Sequence, residues 1–138
     1  MIGGDYRTWN ASEKIKKYWN DKYRIEGLIA LRDLLDQTMT KEVWQKNKTP
    51  YFIGYYFENE SKKDNIISIE AVRRYSEVAN TPDHQSKVIP FSQGRGHVIS
   101  SQMMNPQWSI VQDSIFSFAE NVLEMSQASK LASVNPEQ

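Results

Sequence analysis

The stretch from Asn10 to Met39 has a helical period but two apolar faces, and no single straight helix buries both in one core. At about 100° per residue, Ile15, Tyr18, Trp19, Lys22, Ile25 and Ile29 share one face, while Leu28, Leu31, Leu35 and Met39 lie roughly opposite. Asn10 is placed to cap this helix, and Glu13, three residues on, completes a capping box. Two outcomes satisfy the pattern. The helix bends or breaks near Gly27, where glycine lowers helix propensity by about 1 kcal/mol relative to alanine, and both faces enter one core. Alternatively, it runs straight and bridges two apolar bodies, one of which belongs to a partner. The bend is the plainer reading at this helix, and the bridge is the one that implies a dimer.

Composition limits the rest. A chain of 138 residues fits one domain, expected over residues 1–125, with the small and polar residues 126–138 as a frayed tail. The 17 basic and 17 acidic residues cancel, so a globally basic nucleic-acid binder or a polyanionic tail is not indicated. Cysteine is absent, which removes disulfide frameworks, thiolate metal sites and cysteine nucleophiles, and permits a cytoplasmic, reducing location. No apolar run approaches the roughly 18 residues of a membrane span, and MIGGDYRTWN lacks the apolar stretch of a signal peptide. A soluble chain with no membrane role is therefore expected.

Along the chain, Thr40 caps a short helix through Trp44, which Pro50 stops from continuing. PYFIGYYFEN reads as a strand covered on both faces, and ENESKKDN as a solvated loop. NIISIEAV alternates, with Ile67, Ile69 and Ala71 on one side, and reads as a strand, although IEAVRRYSEVA also satisfies helical propensity. SKVIPF and GHVISSQ read as two short strands joined through a glycine-containing turn. Asn105 as cap and Pro106 in the first helical position open a last helix, with Trp108, Val111, Ile115, Phe118, Ala119 and Val122 on one stripe, widened by Phe116 and Leu123. The fold expected is α+β: an antiparallel sheet of three to four strands covered by N-terminal and C-terminal helices.

Three groups of residues bear on function. FSQGRGHVISS sets Arg95 and His97 around two glycines, as an anion-binding loop would. Its flanks both read as strand, and no Gly-Lys-Ser/Thr follows, so a turn accounts for the glycines better than a phosphate cradle does. Arg7, Lys14, Lys16, Lys17, Lys22 and Arg24 are interleaved with Tyr6, Trp9, Tyr18, Trp19 and Tyr23, against three acids, which suits phosphates and unstacked bases. In helical projection, however, Tyr18 and Trp19 turn away from Lys16, Lys17 and Arg24, which assigns the aromatics to a core. Finally, Met103 and Met104 beside Trp108, with Leu28, Leu31, Leu35 and Met39, offer more apolar surface than one small domain needs to hide. His84 and His97 are the only histidines, and neither has a carboxylate at metal-ligand spacing, so no metal or cofactor is expected.

The function expected is that of a small non-enzymatic interaction protein that forms a homodimer through the first helix or a sheet edge. The alternative is a nucleic-acid or nucleotide binder using Arg7, Lys14, Lys16, Lys17, Arg24, Arg95 and His97. An enzyme with His97 or His84 as general base ranks last, because no acid, base and orienting group are recognisable together.

Overall fold

The computed structural model describes residues 5–94 and 96–126; Arg95 and the expected tail from residue 127 lie outside them. The protein mixes helix and strand in two small sheets, an α+β arrangement. It divides into two compact units. One runs to Asn47 and takes in Val78–Asn80, and the other comprises Lys48–Glu77 and the chain from Thr81 onward.

In the first unit, β1 (Tyr6–Thr8) pairs antiparallel with β2 (Lys22–Arg24), setting Tyr6 opposite Arg24, Arg7 opposite Tyr23 and Thr8 opposite Lys22. Between them lies a single helical turn, α1 (Glu13–Lys16). Its cap is Ser12, whose hydroxyl accepts from the Ile15 amide, and not Asn10. Two bonds turn the chain back into the ribbon: the Trp9 amide donates to the Asp21 carbonyl, and its indole Nε1 to the Asn20 carbonyl, each at 3.0 Å. The stretch expected as one helix is thus broken between Lys17 and Ile25, well before Gly27. The reason is competition, since strand pairing satisfies backbone groups of Lys22–Arg24 that helical propensity alone left only weakly committed.

Gly27 itself sits inside α2 (Ile25–Thr38). That helix closes with the Met39 amide on the Leu35 carbonyl and the Thr38 hydroxyl on the Leu34 carbonyl. Thr40 then caps α3 (Lys41–Trp44), as its position predicts, and Trp44 is buried.

In the second unit, β3 (Tyr51–Asn59) forms a hairpin with β4 (Lys62–Lys63), its turn held by the Asn59 side-chain oxygen, which accepts from the Ser61 and Lys62 amides. After α4 (Ile69–Val78) and a 3₁₀ turn (Asp83–Gln85), β5 (Ser86–Phe91) returns parallel to β3. Tyr51 faces Ser86 at one end of this ladder and Tyr56 faces Phe91 at the other, so the sheet order is β4-β3-β5. The wholly antiparallel sheet is corrected here, and so is the strand expected from NIISIEAV.

Both corrections have one cause. A helical period buries Ile69 and half-buries Val72 and Tyr75, leaving Glu70, Arg73 and Arg74 outside, which strict alternation cannot do. Ser68 starts this helix by accepting from the Ala71 amide. The helix lies on β3, with the Tyr75 ring edge-on to Tyr51 and the Arg73 guanidinium over Phe57. A helical crossover of this kind is what two parallel neighbours require. Pro90 is accommodated because β5 is an edge strand, where a missing amide donor costs little.

The core of this unit is Phe91, Ile99 and Val111, with Phe52, Tyr56 and Ile89 against it. α5 (Trp108–Asn121) contributes Val111 and Phe118, and Phe118 stands edge-on to Phe52 at 5.7 Å between ring centres. Its apolar stripe is narrower than the sequence suggests, since Ile115 and Phe116 are exposed. GHVISSQ is a series of turns and not a strand. Ile99 is drawn into the core, and its carbonyl accepts at 2.7 Å from Asn105, a side chain only 1 % exposed. Asn105 also accepts from the Gln107 amide, so it ties this loop to the start of α5 while Gln107 takes the cap position. Gly96 has φ of 90°, a conformation that glycine adopts without strain.

Gly54 shows how tightly the core is filled. A Cβ there would meet Phe91 Cε2 at 2.9 Å and Phe52 Cε1 at 3.2 Å. Gly54→Ala should therefore destabilise the protein by about 1–3 kcal/mol through overpacking. Urea unfolding followed by circular dichroism checks this, and an unchanged midpoint would show that the two rings swing aside freely.

Candidate functional site

The feature of the first unit that stands out is α2, in which none of the 14 residues is buried. Leu28, Leu31, Leu35 and Met39 lie on one arc of this helix, as the sequence projection predicts, and Leu34 widens it. Leu31, Leu34 and Met39 are each more than half exposed. Of the charges beside the arc, Arg32, Asp36, Arg24 and Glu26 are paired within the chain, while Asp33 makes no ion pair among the described residues. Arg32 Nε contacts both oxygens of Asp36 at 2.9 and 3.0 Å, and Arg24 pairs with Glu26 at 2.9 Å.

The basic residues divide into those with ion pairs and those without. Lys16 is held by Glu13 at 2.9 Å and Asp21 at 3.7 Å, and the hydrogen bond to Glu13 raises its pKa above the ordinary lysine value. Among the described residues, Arg7, Lys14, Lys17 and Lys22 make no ion pair. The aromatics beside them are not core. Tyr18 is 72 % exposed, Tyr6 54 % and Trp19 44 %, and Tyr23 is also exposed. The assignment of Tyr18 and Trp19 to a core is overturned because the continuous helix that would have given them a common apolar face does not form. Arg7 and Arg24 stand on the ribbon, and Lys14, Lys16 and Lys17 at α1. His97 belongs to the other unit, and Arg95 lies outside the described residues.

The second unit contains a buried carboxylate paired with a half-exposed histidine, which spacing in the sequence gave no way to find. Asp64 Oδ2 lies 2.8 Å from His97 Nδ1, and the Asp64 side chain is 1 % exposed against 45 % for His97. Asp64 Oδ1 accepts from the Ile66 and Ile67 amides, and its own amide donates to the Tyr56 carbonyl. Burial pushes the Asp64 carboxyl up, but the hydrogen bonds from His97 and the two amides outweigh it, and its pKa falls below the ordinary carboxylate value. An ionised carboxylate only accepts, so Nδ1 donates to it, and Nε2 makes no hydrogen bond among the described residues. The orienting group absent from the sequence reading is therefore Asp64. Its signal is local at most: an Asp followed by Asn, which favours a side chain bonding its own backbone two residues on.

Two neighbouring clefts lie on this unit and share Ser92, Gln93, Gly94 and Gln107. The one of about 300 Å³ is lined by uncharged side chains, and the one of about 410 Å³ adds Glu58 and Lys62, which pair with each other at 3.1 Å. Met103 is exposed nearby in the chain, and Met104 and Trp108 are half-buried. No three His, Asp or Glu side chains among the described residues come together as a metal site, and no described helix is long and apolar enough to cross a membrane. No family model, curated protein or solved structure matches this chain.

Proposed function

We propose that this protein is an interaction module that self-associates as a homodimer through α2, with Leu28, Leu31, Leu34, Leu35 and Met39 of one copy packed on the same face of the other. The observation that carries the reading is a helix of 14 residues with no buried side chain. Isolated helices of that length are marginal in water, and most helical stability in proteins comes from packing an apolar face. A second copy is the occupant that the rim favours. With Arg32 on Asp36 and Arg24 on Glu26, Asp33 is the one unpaired charge that α2 carries among the described residues, too little to select an oppositely charged partner or to repel an identical helix strongly. Leu28, Leu31 and Leu35 repeat at the three- and four-residue spacing that lets two helices interdigitate.

The affinity should be moderate. Ten half-covered apolar side chains contribute roughly 10 kcal/mol on burial, and an association cost of about 5 kcal/mol leaves about 5 kcal/mol, a Kd on the order of 0.2 mM. Sedimentation equilibrium over a concentration series should show the mass rising from monomer to dimer, and Leu31→Glu/Leu35→Glu should hold the protein as a monomer with its circular dichroism unchanged. A strict monomer at about 0.5 mM, where an association of this strength should be populated, would refute the reading.

A further inference from the structure

We infer that the β1–β2 ribbon with α1 is a binding surface for single-stranded nucleic acid, in which exposed tyrosines stack on unpaired bases while Arg7, Lys14, Lys17 and Lys22 meet the phosphates. The inference does not depend on α2. Its first support is the ribbon itself. Opposed residues in an antiparallel pair project to the same face, so one face carries Tyr6, Thr8, Lys22 and Arg24 and the other carries Arg7 and Tyr23. Each face thus sets a tyrosine directly across from an arginine. All six residues are exposed, and a two-stranded ribbon bare on both faces is only marginally stable in water.

The second support is the charge left over. Glu13 and Asp21 both engage Lys16, and Glu26 engages Arg24, so two of the segment's six cations are paired, and of its own three acids only Asp5 makes no ion pair among the described residues. Four remain without an ion pair among the described residues. Lys14 and Lys17, three positions apart around the one-turn helix, are exposed together, and the Lys16–Asp21 contact holds that turn to the chain entering β2. Tyr18, 72 % exposed, and Trp19 follow at once. Exposed aromatic rings are poorly solvated by water and well matched to the faces of bases, and every base has such a face, so sequence-tolerant binding is expected. A duplex hides those faces and offers only phosphates.

The test uses the full chain and a fluorescein-labelled oligothymidylate of about 20 nucleotides, followed by anisotropy and by quenching of tryptophan fluorescence. Four phosphate contacts predict that affinity falls with salt at a logarithmic slope of about −3, or about 50-fold between roughly 50 and 200 mM. Tyr6→Ala/Tyr23→Ala should weaken binding about 30-fold or more while leaving that slope in place. Lys14→Glu/Lys17→Glu should weaken binding and make the slope shallower by about 1.4. All four positions are exposed, and circular dichroism confirms that each variant is folded. No binding at low salt, salt-independent binding, a duplex bound as tightly as the single strand, or tyrosine variants that bind like the parent would each overturn the inference.

Discussion

Asp64→Ala is expected to destabilise the protein by roughly 2–4 kcal/mol, a large effect for one short side chain. The substitution removes the acceptor for three donors at once: Nδ1 of His97 and the amides of Ile66 and Ile67. His97 is half exposed and regains water, so its share is recovered in part. The two amides sit in the turn after β4, and the loop around His97 loses its tie to that turn. Asp64→Asn should cost less, because one carbonyl oxygen still serves the amides while the imidazole changes tautomer to accept from the new amide group.

The pH dependence follows from the direction of the Asp64 shift. Its pKa is lower in the folded protein than in the unfolded chain, so the unfolded chain binds the proton more tightly. The stabilisation is present above the unfolded value of about 3.9 and is lost as pH falls through the folded value. Urea unfolding of the parent and of Asp64→Asn at a series of acidic pH values measures this. The two stability curves should converge as the pH falls, and curves that stay parallel would show that Asp64 is not held ionised by its three donors.

Phe91→Ala should cost about 3–5 kcal/mol, a large fraction of the roughly 5–15 kcal/mol that holds a native protein folded. Phe91 ends β5, is buried, and forms the centre of the core with Ile99 and Val111. Its ring also comes within 2.9 Å of where a Cβ on Gly54 would fall, so the neighbouring strand is drawn in closer than a side chain there would allow. The surroundings cannot collapse much further, and the truncation leaves a cavity. Phe91→Leu keeps most of the volume and should recover more than half of the loss. Loss of the dispersed amide spectrum in Phe91→Ala and its retention in Phe91→Leu would be the expected pair of results. A loss below about 1 kcal/mol in the alanine variant would mean that this cluster does not hold the unit together.

The two candidate surfaces differ in how far the residues announce them. The arc of Leu28, Leu31, Leu35 and Met39 is a property of helical spacing, and it survives because α2 is helical throughout those positions apart from Met39 at its cap. Tyr18 and Trp19 follow the end of α1 and Tyr23 lies in β2, so they share no helical face, and a projection at helical spacing has no meaning across the break. Asp64 and His97 are 33 residues apart, and only the hairpin and the turns after β5 bring them within a hydrogen bond.

From the amino-acid order alone came the elements whose local signals agree with one another: β3 in PYFIGYYFEN, α3 behind Thr40, β5 in SKVIPF, the last helix, and the α+β class they imply. The lack of cysteine chemistry is equally a matter of composition. Tertiary structure decided the rest. It paired Tyr6–Thr8 with Lys22–Arg24 and so cut the first helix, it turned Ile69–Val78 into the crossover of a parallel pair, and it gave His97 its carboxylate. In each case local preferences were nearly balanced, and backbone and side-chain hydrogen bonds formed with distant residues chose between them.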